Sequence, residues 1–375
     1  MNFTVFGAGL MGRYIVNDLS THLDADILWV DRSRDALELG KESLPANAKV
    51  ELIQADISAE SDLRKYFRPG SVAIGASSYE HHLELMKLAL EARAHWLDLG
   101  GNNTVVASQR ALSDQAEDRK LSMIPDCGLA PGMVSILGWD LHQRFPQADT
   151  IELRVGGLPA IPKNQLGYQL VFSARGLLNE YREPCTVLRD NKLIEVEPMT
   201  ELETLSMGER FPALEAFTTS GGISTLAESL NSRVKNADYK TIRYPGHAKT
   251  ISTMMELGFF SNEVVAQSGE RAFDISAGIL EKSLISDAPD VVLVKAEAKA
   301  ESKSLGQWQS IIDAEGGWTA MQRSTGASAA VIAELIANRQ VCDFGVLTQE
   351  EGVPATEYIA GLEKRGIHLE KLEQV

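Results

Sequence analysis

Short apolar runs separated by amphipathic segments dominate the first third of the chain. Runs of strand length occur at NFTVF, DILWVD, KVELIQ, SVAIG, HWLD and LSMI, and the segments between them include HHLELMKLALEA, whose apolar residues have helical spacing. Strands that alternate with helices of this length indicate a parallel sheet with helices on both faces. The pattern therefore predicts a doubly wound α/β domain, in which ligands bind beyond the carboxyl ends of the strands.

A glycine-rich loop follows the first predicted strand. Gly7, Gly9 and Gly12 have the G-x-G-x-x-G spacing, and a helical pattern begins directly after them. In this arrangement the first glycine permits a tight turn, the second lets the backbone approach a pyrophosphate, and the third lets the helix pack on the strand. The N–H groups at the start of the helix, including those of Leu10 and Met11, attract phosphate. The loop predicts a Rossmann-type dinucleotide-binding domain.

Residues after the following strands complete the predicted cofactor site. Asp31 ends the second strand nineteen positions after Gly12, where a carboxylate binds the adenosine ribose hydroxyls. A carboxylate there repels the additional phosphate of NADP, but Arg32 and Arg34 follow at once, and an arginine is the usual acceptor of that phosphate. We therefore predict NAD, with NADP as the alternative. The other predicted cofactor contacts are Asp56 near the adenine, and Ala76 and Ser77 in the turn after the fourth strand.

The hydrophobic pattern changes near residue 150. TIELRVGGLP and PDVVLVKAEAKA alternate like strands, with helical stretches between them, so we predict a second, α+β domain with a mixed sheet. GASAAVIAELIA, near the end, has almost no polar face, which is typical of a buried helix. The predicted segments are a dinucleotide-binding domain at 1–128, a substrate-binding and dimerisation domain at 129–312, and a C-terminal helical segment at 313–375 that packs back on the first domain.

Composition and charge narrow the classes of function. The chain has 375 residues and a formal net charge of −16, which argues against a nucleic-acid partner because phosphate binding needs clustered Lys and Arg. No apolar stretch is long enough to cross a membrane, and the first residues lack the features of a secretory signal. Cys127, Cys185 and Cys342 lie far apart and form no zinc pattern. We expect a cytoplasmic protein without a metal.

Acidic residues end the fifth and sixth predicted strands. Asp98 precedes two glycines in HWLDLGGN, and Asp126 opens the stretch DCGLAPGM. In a parallel sheet these two loops lie at the same edge as the glycine-rich loop, so both face the cofactor. Gly128 and Gly132 would let the backbone approach the nicotinamide before the next helix begins. We therefore predict that Asp126 belongs to an active site.

Several stretches together resemble the saccharopine dehydrogenase family. DCGLAPGM, RVGGLP, LGYQLVFSARGLLNEY, TIRYPGH and STGASAAVIAELIA have the order and spacing of that family, and the resemblance runs essentially from end to end. Within the family the chain is most similar to the NAD-dependent L-lysine 6-dehydrogenase branch. Saccharopine reductases carry an acid where this chain has Ala130, and a tryptophan-containing W-S-P stretch where it has Phe172 and Ala174. Lysine dehydrogenases also keep the W-S-P run, so FSARG departs from both groups.

The resemblance implies oxidation of the ε-amine of L-lysine by NAD in a homodimer. Hydride would leave the ε-carbon, and the resulting imine would hydrolyse to the semialdehyde with loss of ammonia and then cyclise. Such a reaction needs a base or a water relay for the amine and a cation for the α-carboxylate. The α-ammonium needs a carboxylate or carbonyl groups.

Six residues are candidates for these roles. Asp126 is predicted to hold or deprotonate the amine, and His247, with a pKa near neutrality, to move the proton. Arg243, on the same turn as His247, is predicted to clamp the carboxylate. The other predicted substrate contacts are Tyr168, Arg175 and Asp98.

Two other interpretations stay open. An enzyme of the same fold could use NAD(P)H to join an amino acid to a carbonyl acid, as in the formation of saccharopine or carboxynorspermidine. A protein of another class could bind the dinucleotide as a redox sensor without chemistry. The presence of Asp126, Arg243 and His247 argues against the sensor.

Overall fold

The computed structural model describes residues 1–59 and 63–373. Its strands are β1 (Asn2–Phe6), β2 (Asp26–Asp31), β3 (Lys49–Gln54), β4 (Val72–Gly75), β5 (His95–Asp98), β6 (Ser122–Ile124), β7 (Thr150–Pro159), β8 (Cys185–Arg189), β9 (Lys192–Val196), β10 (Glu203–Leu205), β11 (Leu214–Thr218), β12 (Asn236–Arg243), β13 (Asp290–Ala300), β14 (Lys303–Asp313), β15 (Gly345–Val346) and β16 (Glu370–Glu373). Its helices are α1 (Leu10–His22), α2 (Arg34–Lys41), α3 (His82–Ala92), α4 (Asn103–Arg110), α5 (Ser113–Asp118), α6 (Met133–Arg144), α7 (Ala174–Glu180), α8 (Leu226–Ser229), α9 (His247–Glu256), α10 (Ala272–Leu284), α11 (Ala320–Ala337), α12 (Gln349–Gly352) and α13 (Ala355–Glu363), with short 3-10 helices at Leu63–Tyr66 and Tyr79–His81.

The chain divides into two compact units. Unit 1 comprises Met1–Asp140 and Gln322–Ile367, and unit 2 comprises Leu141–Met321 and the residues from His368 onward. The divisions after Asp140 and after Met321 fall inside helices, α6 and α11, rather than at the predicted residues 128 and 312. Most of the predicted C-terminal segment, Gln322–Ile367, lies in unit 1 with the dinucleotide-binding fold. Its end differs from the prediction, because β16 pairs with β14 in the sheet of unit 2.

The sheet of unit 1 is parallel and has the Rossmann-type topology that the sequence predicted. Its strand order within the described residues is β15-β6-β5-β4-β1-β2-β3. The order reverses between β1 and β4, and Phe6 is the register partner of Gly75 at the carboxyl ends of those two strands. Ligands bind at such a switch point in doubly wound folds. The residues that follow directly, Gly7 and Ala76, are therefore the expected floor of a cofactor site.

Burial explains why the central strands of unit 1 are apolar. Four of the five residues of β1 are buried, as are all of β4, because helices cover both faces of a doubly wound sheet. One side of the core brings together Phe6, Met86, Trp96 and Met123 from separate strands and α3. This packing holds β1, β4, β5 and β6 beside one another.

Unit 2 is built on a mixed sheet, as predicted. Its order in the described part of the chain is β10-β11-β12-β7-β13-β14-β16, with β8 and β9 attached beside β12. The pair β12–β7 is parallel and its neighbours are antiparallel. Side chains alternate along a strand, so Tyr239, Thr241 and Arg243 of β12 share one face. A cluster that includes Phe217, Ile251 and residues of α7 and α10 forms an apolar core in this unit.

None of the described helices has the length and apolar content that crossing a lipid bilayer requires.

Candidate active site

The glycine-rich loop of unit 1 has the close contacts that its spacing predicts. Gly7 has a φ of 118°, and a Cβ there would overlap the Ala76 carbonyl. A Cβ on Gly12 would overlap the carbonyl oxygen of Gly7, because α1 packs directly on the loop. A Cβ on Gly9 would meet nothing within 4 Å. Gly7 and Gly12 therefore serve the fold, whereas Gly9 borders open space.

A cavity of about 310 Å³ adjoins this loop within unit 1. Its lining includes Asp31 and Arg32 from the end of β2 and Ser77 from the end of β4. The Ser77 hydroxyl is buried and has no hydrogen-bond partner among the described residues. Asp56 stands between two lining residues, Ala55 and Ile57, and its Oδ1 accepts a hydrogen bond from the Ser58 N–H at 2.9 Å. Open space at Gly9 and an unpaired hydroxyl at the cavity fit a dinucleotide.

Asp31 both shapes the loop and faces the cavity. Its Oδ2 accepts a hydrogen bond from the Ala8 N–H at 2.6 Å, and its Oδ1 accepts one from the Ser33 N–H at 2.7 Å. Each carboxylate oxygen has two lone pairs, so acceptor capacity remains for ribose hydroxyls. Of the two neighbouring arginines, Arg32 lines the cavity, whereas Arg34 forms an exposed ion pair with Glu38.

The Asp98 carboxylate anchors the loops at the carboxyl end of β5. It is fully buried and accepts hydrogen bonds from Trp96 Nε1 at 2.8 Å, Gln109 Nε2 at 2.6 Å and the Gly100 N–H at 2.8 Å. Burial acts to raise the pKa of Asp98, but the neighbouring His82 and these donors outweigh it and lower the pKa to about 2. With its oxygens occupied by donors of its own unit, Asp98 suits a positioning role better than the substrate contact predicted from sequence.

Asp126 lies beside this anchor, after β6. Its N–H lies 3.3 Å from Asp98 Oδ1, and its φ of 62° places it in the left-handed region. A Cβ on Gly100 would overlap the Asp126 carboxylate, so glycine at that position makes room for the acid. Left-handed non-glycine residues are uncommon and occur often at functional sites. The catalytic role of Asp126 stays a prediction, with a buried, closely packed carboxylate to support it.

We expect Asp98→Asn to lower the free energy of unfolding by about 2–4 kcal/mol, because an amide nitrogen would face buried N–H donors. The folded-state pKa is below the ordinary value of 3.8, so the contribution of Asp98 is present above that pH and is lost as pH falls toward about 2. Urea unfolding at several pH values measures both effects. The exposed Asp118→Asn is the control and should change stability by less than about 0.5 kcal/mol. Equal stability of the two variants would contradict the proposed contribution of Asp98 to the stability of the fold.

A buried polar chain runs from Arg243 through Tyr181 to His247 in unit 2. Arg243 Nε donates to the Tyr181 hydroxyl oxygen at 3.1 Å, and that hydroxyl lies 3.0 Å from His247 Nε2. His247 Nδ1 lies 2.9 Å from the Leu166 carbonyl oxygen. Because a carbonyl only accepts, Nδ1 carries the proton and Nε2 accepts from Tyr181. These hydrogen bonds therefore fix the orientation of the Arg243, Tyr181 and His247 side chains.

The guanidinium of Arg243 is buried without a carboxylate at ion-pair distance, within the part of the chain that the structure describes. It is 2% exposed, Nη1 donates to the Ile242 carbonyl at 2.9 Å, and the Tyr168 ring centroid lies 4.8 Å away. Two other buried arginines are paired: Arg154 with Asp238 at 2.6 Å, and Arg365 with Asp18 at 2.8 Å. Buried charges are normally paired in this way. Arg243 is therefore suited to bind the anionic group of a ligand.

The structure differs from the sequence prediction for His247. Burial and the positive charge of Arg243 lower its pKa to about 3, so the ring is neutral at physiological pH. A proton shuttle needs a pKa near the working pH. His247 instead orients the Tyr181 hydroxyl, and through it the Arg243 guanidinium.

We expect the pH profile of kcat/KM to show no His247 ionisation between about pH 5 and pH 8. His247→Gln should lower kcat/KM about tenfold, because the orientation of Tyr181 is lost, and should leave the shape of the profile unchanged. Steady-state rates across that pH range check this. Disappearance of an ionisation near pH 6.5 in the variant would show that His247 titrates after all.

Arg175 is not in the pocket that the sequence suggested. It lies on the first turn of α7, its side chain is 59% exposed, and its Nη1 pairs with Asp274 Oδ1 at 2.5 Å. Tyr168, by contrast, is fully buried and packs edge-on to His247 with ring centroids 5.5 Å apart. The structure thus brings Tyr168, Arg243 and His247 together and leaves Arg175 at the surface.

Sequence reasoning missed three residues of these clusters. Tyr181 and Glu180 end the stretch ARGLLNEY, where polar side chains after an apolar helix were the available signal. His82, at the start of α3, is buried with Nδ1 3.4 Å from Asp98 Oδ1. A search of the described ranges finds no cluster of His, Cys, Asp and Glu that could hold a metal ion.

Two family models match nearly the whole chain. Residues 3–124 match the saccharopine dehydrogenase NADP binding domain, and residues 128–367 match the saccharopine dehydrogenase C-terminal domain. The chain belongs to the saccharopine dehydrogenase family. Members of this family are dehydrogenases, and the matched domain supports a nicotinamide dinucleotide as the cofactor of this chain.

Curated relatives are distant and longer than this chain. Saccharopine dehydrogenase [NADP(+), L-glutamate-forming] of Saccharomyces cerevisiae is 21% identical over 70% of this chain, which spans 59% of the yeast enzyme. Alpha-aminoadipic semialdehyde synthase of Arabidopsis thaliana is 22% identical over 68% of this chain and 24% of its own length.

Solved structures show the same fold over full length. The apo saccharopine dehydrogenase (L-Glu forming) of S. cerevisiae has a TM-score of 0.80 at 17% identity, with both chains completely covered. A homospermidine synthase of Legionella pneumophila in complex with NAD has a TM-score of 0.71 at 13% identity, covering all of this chain and 91% of the other.

Proposed function

We propose that this protein oxidises the ε-amine of L-lysine with NAD, forming 2-aminoadipate 6-semialdehyde, ammonia and NADH. The dinucleotide supplies the hydride acceptor. Oxidation removes a hydride from the ε-carbon and a proton from the nitrogen, and water then hydrolyses the imine and releases ammonia. The chain's own contribution is to bind the amino acid, to orient it and to accept the proton.

The observation that carries this proposal is the buried Arg243 guanidinium without a carboxylate partner. Its orientation is set by Tyr181, and its remaining N–H groups suit the two oxygens of a substrate carboxylate. A guanidinium beside aromatic rings in an apolar core binds an anion more strongly than one in water, because the local dielectric is low. We assign the α-carboxylate of the substrate to Arg243, and we keep Asp126 as the candidate base.

The preference for NAD is supported by Asp31. Its carboxylate stands at the cavity beside the loop, where a 2′-phosphate would be repelled. Arg32 lines the same cavity and is the residue that would accept that phosphate. NADP is therefore the alternative cofactor and is to be tested beside NAD.

A second candidate function is a reductase that joins an amino acid to a carbonyl acid with NAD(P)H. The names of the relatives favour it, since the yeast enzyme forms L-glutamate from saccharopine with NADP and the L. pneumophila protein is a homospermidine synthase. Ala130 disfavours it, because saccharopine reductases carry an acid at that position. Phe172 and Ala174 depart from the pattern of both groups and do not separate the two functions.

We expect NADH to form when L-lysine and NAD are added to the purified protein, with NADP, L-ornithine and saccharopine measured in parallel. The rate with lysine and NAD should exceed each of the others at least tenfold. Turnover of saccharopine, or oxidation of NADPH with aminoadipic semialdehyde and glutamate, would establish the reductase instead. Dinucleotide binding without turnover of any amine would favour the sensor.

A further inference from the structure

A second cavity in unit 1 lies at the amino ends of two strands, away from the dinucleotide site. It has a volume of about 460 Å³, and its lining includes His95 and Ser122, the first residues of β5 and β6. The cofactor cavity instead adjoins residues that follow the carboxyl ends of the strands. The volume is in the range of ordinary small-molecule sites, so this second cavity is large enough for a ligand of its own.

Three basic residues line this cavity, and no acidic residue of the described chain does. Lys120 and Arg339 have no carboxylate at ion-pair distance among the described residues. His95 Nδ1 accepts a hydrogen bond from the Ser122 N–H at 3.0 Å, which leaves the ring proton on Nε2. Burial and the charge of Arg339 lower the pKa of His95, so the ring is neutral at physiological pH. In a chain with a formal net charge of −16, the two unpaired cations favour an anionic ligand.

The rest of the lining is largely apolar. It includes Ile336, Val341 and Phe344, and 43% of the Phe344 surface is exposed. Asp343, next to Phe344 in the chain, is exposed, and its backbone carbonyl accepts a hydrogen bond from the Ser122 hydroxyl at 2.7 Å. An inorganic ion would leave the apolar side chains in contact with water, whereas an organic anion would cover them. The lining therefore favours an anion with an apolar body.

Lys120 and Arg339 occupy equivalent positions at the ends of two helices. Lys120 follows α5 with a φ of 56°, and Arg339 follows α11 with a φ of 59°. In each case the N–H of the next residue bonds to the carbonyl five positions before it, at 2.9 Å after Lys120 and 2.8 Å after Arg339. This is the Schellman motif, whose left-handed position favours glycine. Glycine can therefore replace either residue without straining the fold, which removes the charge alone.

We propose that this cavity binds a small organic dianion, with Arg339 and Lys120 holding its negative charges and Phe344 packing against its apolar body. The planar guanidinium of Arg339 suits two oxygens of a carboxylate or phosphate, and Lys120 supplies the second positive charge. The Nε2–H of His95 adds a neutral donor. The inference is independent of the proposed function, because it involves neither the predicted cofactor contacts nor the Arg243 cluster.

Cys342 lines the same cavity and can report on its occupancy. Its thiol is exposed, whereas Cys127 and Cys185 are buried, so the uncharged reagent iodoacetamide should alkylate Cys342 first. Phenyl phosphate and phthalate are the probes, since each carries one benzene ring and two negative charges at about pH 8. We expect at least one of them, at saturation and with NAD present, to slow the alkylation of Cys342 about fivefold or more. Mass spectrometry identifies the modified thiol, so a probe bound at another site is not counted.

Calorimetric titration of the NAD-saturated protein with the same two probes measures the affinity. Arg339→Gly and Lys120→Gly should each weaken the binding of the dianion about tenfold or more. The thermal midpoints of both variants should equal or exceed that of the wild type, because glycine relieves the left-handed backbone. Benzoate, with one charge, and inorganic phosphate, without a ring, should each bind the wild type about tenfold more weakly than the dianion.

Arg93→Gly is the matched control. Arg93 follows α3 in the same left-handed conformation, with a φ of 58°, and the next N–H bonds to the carbonyl five positions before it at 2.9 Å. It does not line the cavity, so this variant should bind the dianion with wild-type affinity.

Four results would overturn the proposal. The first is an unchanged alkylation rate with both probes together with no heat of binding. The second is binding that Arg339→Gly and Lys120→Gly leave unchanged, because the dianion would then lie elsewhere. An equal loss in Arg93→Gly would show that the general charge of unit 1, rather than the cavity, attracts the probe. Inorganic phosphate that binds as tightly as the dianion would exclude an organic ligand.

Discussion

Arg243→Lys is expected to lower kcat/KM for the amino-acid substrate by about 100-fold to 1000-fold. The planar guanidinium donates from Nε to the Tyr181 hydroxyl and has two further donors for a carboxylate. The ammonium group of a lysine cannot reproduce this geometry. Dinucleotide affinity should stay at the wild-type value, because the predicted cofactor contacts all belong to unit 1. Steady-state kinetics with lysine and direct titration with NAD measure the two effects separately.

The control for Arg243→Lys is Arg210→Lys. Arg210 is a half-exposed arginine of unit 2 that pairs with both oxygens of Asp313, at 2.7 and 2.6 Å. Exposed ion pairs contribute at most about 1 kcal/mol, so this variant should keep its activity. Wild-type kinetics for Arg243→Lys, in a protein with a normal circular dichroism spectrum, would remove Arg243 from the substrate site.

Gly9→Ala is expected to weaken dinucleotide binding at least 100-fold while leaving stability almost unchanged. A Cβ at this position meets nothing within 4 Å, and the backbone has a φ of −72° that alanine adopts without strain. The methyl group would therefore occupy only the space through which the pyrophosphate approaches the backbone. Titration with NAD, together with thermal unfolding without it, checks both parts.

Gly12→Ala provides the contrast within the same motif. Its Cβ would overlap the Gly7 carbonyl oxygen, so α1 would have to move away from β1. We expect this variant to lose about 2–4 kcal/mol of stability as well as cofactor binding. If Gly9→Ala bound NAD normally, or if Gly12→Ala were as stable as Gly9→Ala, the assignment of one glycine to the ligand and the other to packing would fail.

Local spacing was enough to predict the framework of unit 1. A buried strand, three glycines at fixed intervals and an acid at the end of the next strand each depend on residues close in sequence, and β1, α1 and β2 lie where those patterns placed them. The mixed sheet of the second domain was also visible, because alternation of apolar and polar residues is a local property. The pairing of β16 with β14 could not be predicted, since a strand of four residues contains too little pattern to indicate which strand it pairs with.

Protonation states and pairing were decided only by the tertiary structure. The sequence indicates that Arg243 and His247 share a turn, but Tyr181 and Leu166, which hold the tautomer of His247, come from distant segments. The burial that lowers the pKa of His247 arises only when the chain folds. The exposure of Arg175 could not be predicted from the residues around it in the sequence, because its partner Asp274 is about a hundred residues away along the chain.

The sequence by itself therefore determined that this chain binds a dinucleotide on a Rossmann-type fold and belongs among the saccharopine dehydrogenases. Only the folded chain revealed the structural role of the buried Asp98 carboxylate and, among the described residues, the absence of a carboxylate at ion-pair distance from Arg243. The physical reason is that glycine spacing and hydrophobic periodicity are set by the local backbone. The pKa and the pairing of a charge are set by burial and by neighbours that folding brings together.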